Sequence, residues 1–117
     1  MRQQLRRVSI GYDANGISVN PDPCLVEFDP AVGSIDNDTV QWTSPSPPPA
    51  TVRLTVFFPG GSPFVAIGPA PANPVVYVAS GNHKLQGDYK YNIIFEDAAG
   101  KVLAELDPII QNRPRTP

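Results

Sequence analysis

The fold is decided by the segment GDYKYNIIFE, residues 87–96, which places a large apolar side chain at every second position. Because successive side chains of a strand point to opposite faces of a sheet, this period of two predicts a half-buried β-strand. The residues that would face the core are Tyr89, Tyr91, Ile93 and Phe95.

Further short apolar runs lie upstream and downstream, separated by turn-forming residues. The clearest is 51–58, in which Val52, Leu54, Val56 and Phe58 share one face. The other predicted strands cover residues 8–12, 17–19, 24–28, 39–43, 75–79, 102–106 and 109–111. No window shows a helical period. The pattern therefore predicts an all-β protein, a two-sheet antiparallel sandwich with Greek-key connections.

Turn signals define the connections. Asp13-Ala14-Asn15-Gly16 predicts a hairpin, because Asn and Gly both tolerate positive φ. Residues 44–50 contain four prolines and predict an extended loop without ladder donors. Residues 59–74 contain five prolines and predict a long connection, with Phe64 near its middle.

Length and charge place limits on function. The 117 residues predict one domain, 1–117, with polar tails at about 1–6 and 112–117. The net charge of −2 disfavours nucleic-acid binding, and residues 8–112 alone carry four basic and eleven acidic groups, a balance of −7. No apolar segment is long enough to span a bilayer, so the expected location is the cytoplasm. The basic ends are expected to be solvated; pairing with an acidic partner or a neighbouring copy is the alternative.

Two segments carry a family resemblance. Asp36-Asn37-Asp38-Thr39-Val40-Gln41-Trp42 resembles the Gly-Asp-x-Val-x-Trp segment of cupredoxins, and Gly87-Asp88-Tyr89-Lys90-Tyr91 is similar to their Gly-x-Tyr-x-Tyr strand. The resemblance implies a cupredoxin-like sandwich, and an immunoglobulin-like one is the alternative. Gly87-Asp88-Tyr89 also resembles the start of a tyrosine corner, the alternative being an ordinary core tyrosine.

The copper ligands that the resemblance implies are missing from the sequence. The family's first histidine is expected after the tryptophan strand, where this chain has residues 44–49, Ser-Pro-Ser-Pro-Pro-Pro. Its cysteine and second histidine are expected after the Tyr-x-Tyr strand, where residues 93–96 are Ile-Ile-Phe-Glu. The chain has one cysteine, Cys24, one histidine, His83, and one methionine, Met1, which together cannot complete a copper site. We therefore expect no metal and no cofactor.

Other candidate sites are weak. His83 lies in a polar, turn-like stretch without a neighbouring nucleophile, so no catalytic residue is predicted. The acids Asp13, Asp36 and Asp38 could bind calcium only if the fold joined their loops, and turn chemistry explains them without a metal. Cys24 is expected to be a buried small apolar residue.

The predicted function is therefore a non-enzymatic interaction module. The proline-rich loops are expected to bind a protein partner through Pro47, Pro48, Pro49 and Phe64, with Phe64 as the apolar anchor. One alternative is self-association through edge strands at 109–111 or 75–79. The other is a small-ligand cavity between the sheets, lined by Tyr12, Trp42, Tyr77 or Tyr91.

Overall fold

The computed structural model describes residues 5–31 and 38–114, which form eleven strands and, within these ranges, no helix. The all-β prediction is confirmed. The strands are β1 Leu5–Asp13, β2 Gly16–Asn20, β3 Cys24–Phe28, β4 Thr39–Thr43, β5 Arg53–Phe57, β6 Phe64–Ala70, β7 Asn73–Asn82, β8 Gly87–Lys90, β9 Asn92–Glu96, β10 Val102–Leu106 and β11 Ile109–Pro114.

The first layer is a five-stranded sheet in the order β2-β1-β4-β7-β6. The predicted hairpin joins β1 to β2, and the positive φ at its turn belongs to Gly16 alone, at 110°. β1 and β4 are parallel, whereas the other neighbouring pairs are antiparallel. The sheet is therefore mixed, unlike the purely antiparallel sheets that the sequence pattern predicts.

The second layer is built from two three-stranded sheets, β10-β9-β5 and β3-β11-β8, so the fold has three sheets rather than the predicted two. β8 and β9 are separated by Tyr91 alone, and β10 and β11 by Asp107-Pro108, so the two pairs form one long interrupted hairpin. At the interruption, the Tyr91 N–H donates to the Pro108 carbonyl at 3.1 Å. Pro108 has no N–H to continue the ladder, which is why the hairpin divides there.

The core lies between the layers. Strands of both contribute fully buried side chains, including Trp42 from β4, Leu54 from β5 and Phe95 from β9. The Trp42 indole N–H donates to the Tyr91 hydroxyl at 3.0 Å, and the two rings pack edge to face. Tyr91 also stacks on Phe58, so the residue that interrupts the long hairpin is held from both layers.

A second polar link joins β7 to β11. Asn82 and Asn112 are fully buried and exchange amide hydrogen bonds, Asn82 Nδ2 to Asn112 Oδ1 at 2.6 Å and the reverse at 2.9 Å. Asn112 also donates to the Leu85 carbonyl, and the Lys84 N–H donates to Asn82 Oδ1. The hydrogen-bonding groups of the two buried amides are therefore paired with each other and with the neighbouring backbone, as buried polar groups generally are.

A third link is ionic. Arg6 of β1 donates to the fully buried Asp38 at 2.8 Å and to Glu27 of β3 at 2.9 Å. The Glu27 N–H also donates to Asp38 Oδ2. Arg6 and Asn112, which lie within the predicted polar tails of about 1–6 and 112–117, thus belong to strands β1 and β11.

One strand was not predicted. Residues 59–74 are not a single long loop, because β6 occupies Phe64–Ala70 and β7 begins at Asn73. The strands predicted as edges are also interior, since β7 lies between β4 and β6, and β11 between β3 and β8. The prediction that these two strands are edges is thus wrong.

Candidate binding surface at the loop end

Four connections meet at one end of the sandwich. The parallel strands β1 and β4 both end here. β7 is antiparallel to β4 and therefore starts at this end, and β6 is antiparallel to β7 and therefore ends here. A bond from the Val52 N–H to the Glu96 carbonyl, 2.9 Å, brings the β9–β10 turn to the same end. We define the loop end as four connections: residues 14–15, 44–52, 71–72 and 97–101.

The longest of these connections, residues 44–52, is held by hydrogen bonds at both ends. The Ser44 hydroxyl donates to the Ile10 carbonyl at 3.2 Å, and the Val52 N–H bond anchors the other end. Within the loop, the Thr51 N–H donates to the Pro48 carbonyl at 3.2 Å and closes a four-residue turn. The loop is therefore constrained along its length, and binding through it would cost little conformational entropy.

The turn contains a strained residue. Ala50 has a φ of 72° at the third position of the turn that Pro48 begins, where a type II turn favours glycine. The neighbouring Thr51 hydroxyl oxygen is buried and has no hydrogen-bond partner within the described residues. Left-handed backbone at a non-glycine residue is unfavourable and tends to collect at functional sites.

The three prolines predicted to bind a partner differ in exposure. Pro48 is buried, Pro47 is half-buried and Pro49 is exposed. Pro45 and Ala50 are exposed as well, and no charged residue occurs between positions 44 and 52. The surface that the loop offers is therefore neutral and centred on Pro49, whereas Pro48 anchors it.

Phe64 does not join this surface. It pairs with Asn82 at the opposite end of β6, is only 4% exposed and packs edge to face on Phe58. The preceding residue, Pro63, accepts a hydrogen bond from the His83 N–H at 2.7 Å. The proposed apolar anchor is thus a core residue, and the structure does not bring it together with Pro49.

The single cysteine and the single histidine lie in different environments. Cys24 is buried in the core, and burial raises the pKa of its thiol to about 11, although Arg6 lowers it and Asp38 raises it further. The His83 side chain is exposed. Met1 and Asp36 lie outside the described residues. Within residues 5–31 and 38–114, no three histidine, cysteine or acidic side chains are placed to hold a metal ion.

The two described aspartates of the calcium hypothesis have separate structural roles. Asp13 accepts a bond from the Asn15 N–H at 2.8 Å within its own turn, at the loop end. Asp38 is bound to Arg6, near the start of β1. The fold therefore does not bring these two carboxylates together.

The four aromatic residues considered for an inter-sheet cavity do not share one environment. Trp42 and Tyr91 fill the core against each other, Tyr77 is half-buried and Tyr12 is 40% exposed.

The tyrosine corner is present. The Tyr89 hydroxyl donates to the Leu85 carbonyl at 2.7 Å, and the ring lies beside Gly87, where an added Cβ would make an ordinary contact at 3.6 Å.

Comparison with known proteins adds no family to this description. No protein-family model matches the chain, and no significant match is found among curated proteins. Across the described ranges, no helix is long and apolar enough to cross a membrane.

Proposed function

We propose that this chain is a non-enzymatic β-sandwich module that binds a protein partner through the loop end. The observation that carries the proposal is the 44–52 loop, a neutral, exposed surface in a fixed conformation. Preformed surfaces lose little entropy on binding, and binding sites are often loops fixed to a rigid scaffold. The contact residues are expected to be Pro45, Pro49 and Ala50, with Pro47 and Pro48 supporting them and Phe64 acting through the core.

The absence of catalysis is part of the proposal. The nucleophilic form of cysteine is the thiolate, and burial disfavours it at Cys24. The one histidine, His83, is exposed. Neither residue offers the nucleophile–base geometry that covalent catalysis requires.

We also propose that the sandwich is cupredoxin-like and holds no copper, in a cytoplasmic protein. Support for the likeness comes from the two motif segments, whose Trp42 and Tyr91 form the central core contact. Copper in such a site would need a thiolate and two imidazoles, and this chain offers a buried thiol and one exposed imidazole. Metal analysis after expression with added copper should find far less than one copper per chain. Stoichiometric copper that is lost in Cys24→Ala would contradict the proposal.

The binding surface is tested by a matched pair of proline variants. Pro49 and Pro59 are both exposed and both occupy the second position of a four-residue turn, closed by Thr51 N–Pro48 O at 3.2 Å and Gly61 N–Phe58 O at 3.1 Å. Pro59 follows β5, at the end away from the loop end. Aspartate at either position should disturb a turn equally, but only Pro49→Asp places a charge on the proposed surface, where binding must desolvate it.

The measurement is affinity capture from an extract of the source organism with quantitative mass spectrometry. We expect the partner protein to be captured equally by the wild type and by the control variant, Pro59→Asp. Its capture by Pro49→Asp should fall at least about tenfold, which corresponds to a loss of roughly 1.4 kcal/mol in binding free energy. Thermal unfolding of both variants checks that the fold is retained. Equal capture by all three proteins, or equal loss in both variants, would place the binding surface elsewhere.

A further inference from the structure

The tip of the β1–β2 hairpin places an exposed asparagine directly before a glycine. The Asn15 backbone N–H donates to the Asp13 carboxylate at 2.8 Å, and among the described residues the Asn15 side-chain amide makes no hydrogen bond. Gly16 follows with a φ of 110°. Apart from its chain neighbours, no described atom lies within 4 Å of the position that a Cβ on Gly16 would occupy. The Asn15 amide carbon and the Gly16 nitrogen therefore lie in an uncrowded, exposed turn.

The other described asparagines lack at least one of these features. Asn20 and Asn73 precede prolines, whose nitrogen carries no hydrogen to lose. Asn82 and Asn112 are fully buried and bonded to each other. Asn92 lies inside β9 and is followed by an isoleucine, whose branched side chain crowds the next nitrogen. Asn15 therefore stands apart from the rest in both sequence and exposure.

We propose that Asn15 is a site of spontaneous deamidation in the folded protein. The Gly16 nitrogen loses its proton to solvent and attacks Asn15 Cγ. A C–N bond forms as the bond from Cγ to Nδ2 breaks, and Nδ2 takes a proton from water and leaves as ammonia. Water then opens the cyclic imide at either carbonyl, which gives aspartate or isoaspartate without any oxidant or cofactor. Because the reacting groups belong to neighbouring residues, the attack is intramolecular.

The hairpin tip is where the fold opposes this reaction least. Gly16 and Asp13 are the last residue pair of the β1–β2 ladder, and this pair must open before the Gly16 nitrogen can attack. β2 lies at the margin of its sheet, with β1 as its only neighbour among the described strands. Opening such an end costs little free energy, whereas the interior of a sheet opens at much higher cost. Deamidation in the folded protein should therefore be at most about tenfold slower than in the unfolded chain.

The products change both the charge and the backbone of the turn. Either product replaces a neutral amide by a carboxylate two residues from Asp13, in the connection 14–15 of the loop end. Isoaspartate also lengthens the main chain of the turn, because the chain then runs through the β-carbon, so the pairing of Asp13 with Gly16 should be lost. The modification accumulates with time and does not depend on a partner bound at the loop end.

A matched pair of glutamine variants tests the proposal on the full chain. The folded wild type, Asn15→Gln and Asn20→Gln are incubated at neutral pH and physiological temperature, and a further sample of the wild type is incubated unfolded in urea. Asn20 is exposed like Asn15 and lies at the other end of β2, so its variant is the control. Isoelectric focusing measures the acidic product, and tandem mass spectrometry of digests locates it. Circular dichroism and thermal unfolding check each fold.

We expect the wild type and Asn20→Gln to accumulate aspartate and isoaspartate at position 15 at equal rates. Glutamine at position 15 places the amide carbon one bond further along the side chain, so Asn15→Gln should form acidic product at least about tenfold more slowly. An equal rate in Asn15→Gln, faster deamidation at another asparagine, or product that forms only in the unfolded chain would overturn the proposal.

Discussion

The buried amide pair of Asn82 and Asn112 predicts a large and strongly coupled loss of stability. The two side chains make four hydrogen bonds: two to each other, one from Asn112 to the Leu85 carbonyl and one from the Lys84 N–H. Alanine at either position removes three of the four and leaves buried amide atoms of the other unpaired. At about 1 kcal/mol for each bond, each single variant should lose about 3 kcal/mol.

The double variant should lose much less than the sum. When both amides are removed, neither leaves the other unpaired, so the expected total is about 4 kcal/mol and the coupling free energy about 2 kcal/mol. Urea unfolding followed by the fluorescence of Trp42 measures all four proteins, because this buried indole is the only tryptophan in the chain. Asn15→Ala, in an exposed turn, is the control and should change stability by less than about 0.5 kcal/mol. Single losses below about 1 kcal/mol, or additive effects within about 0.5 kcal/mol, would refute the reasoning.

Three further predictions concern buried polar groups. Tyr91→Phe removes the acceptor of the Trp42 indole N–H and should lower the free energy of unfolding by about 1–2 kcal/mol in urea titrations. Arg6→Met removes the ion pairs of Arg6 with the buried Asp38 carboxylate and with Glu27 and should cost about 3 kcal/mol, with partial recovery when Asp38→Asn is added. The folded pKa of Cys24, about 11, lies above its unfolded value, 9.0, so the stabilising effect of the neutral thiol is complete below pH 9 and is lost as the pH rises. The stability difference between wild type and Cys24→Ala should therefore shrink by about 2 kcal/mol between pH 8 and pH 11.

Each of these three has a control. Tyr12→Phe alters a 40% exposed tyrosine and should be neutral, and Arg7→Met replaces an exposed arginine next to Arg6 and should cost little. In the Cys24 experiment both proteins keep Tyr91, whose pKa the charge on Cys24 also raises, so the titration of Tyr91 cancels from the difference only in part. Burial raises the pKa of Tyr91 well above its usual value, although the hydrogen bond with Trp42 lowers it. The first prediction is contradicted if Tyr12→Phe and Tyr91→Phe have equal effects, and the second if Arg6→Met is as stable as the wild type. The third is contradicted if the stability difference between wild type and Cys24→Ala does not vary with pH.

Much of the fold can be predicted from the sequence because alternation is a local property. The bounds of β3, β4 and β10 agree with the predicted runs, and the tyrosine corner follows from Gly87-Asp88-Tyr89. β6 could not be predicted in this way. Its sequence, FVAIGPA, has no alternation and contains Gly68 and Pro69, and a strand at a sheet margin tolerates both because one side needs no ladder donors.

The rest could not be predicted because it depends on which strands become neighbours. Alternation gives the faces of a strand but not its partners, so the parallel pairs β1–β4 and β3–β11 leave no local signal. The same is true of the Asn82–Asn112 pair: Asn82 directly precedes His83 in a polar, turn-like stretch, and Asn112 lies in the predicted C-terminal tail. In the loop end, the proline content indicates a stiff connection. The positive φ of Ala50 could not be predicted, because the third position of a type II turn is usually glycine.

The position of β11 at the centre of its sheet has a consequence for the order of folding. β3 pairs with β11 from Cys24 opposite Ile110 to Phe28 opposite Pro114, and β8 pairs with the same strand from its other side. Because the ribosome synthesises the chain from its N-terminus, β3 emerges long before its ladder partner β11 exists. Until β11 has been synthesised, Cys24, Val26 and Phe28 of β3 lack the strand that pairs with them in the folded protein. During that interval the unpaired, apolar strand is prone to aggregation.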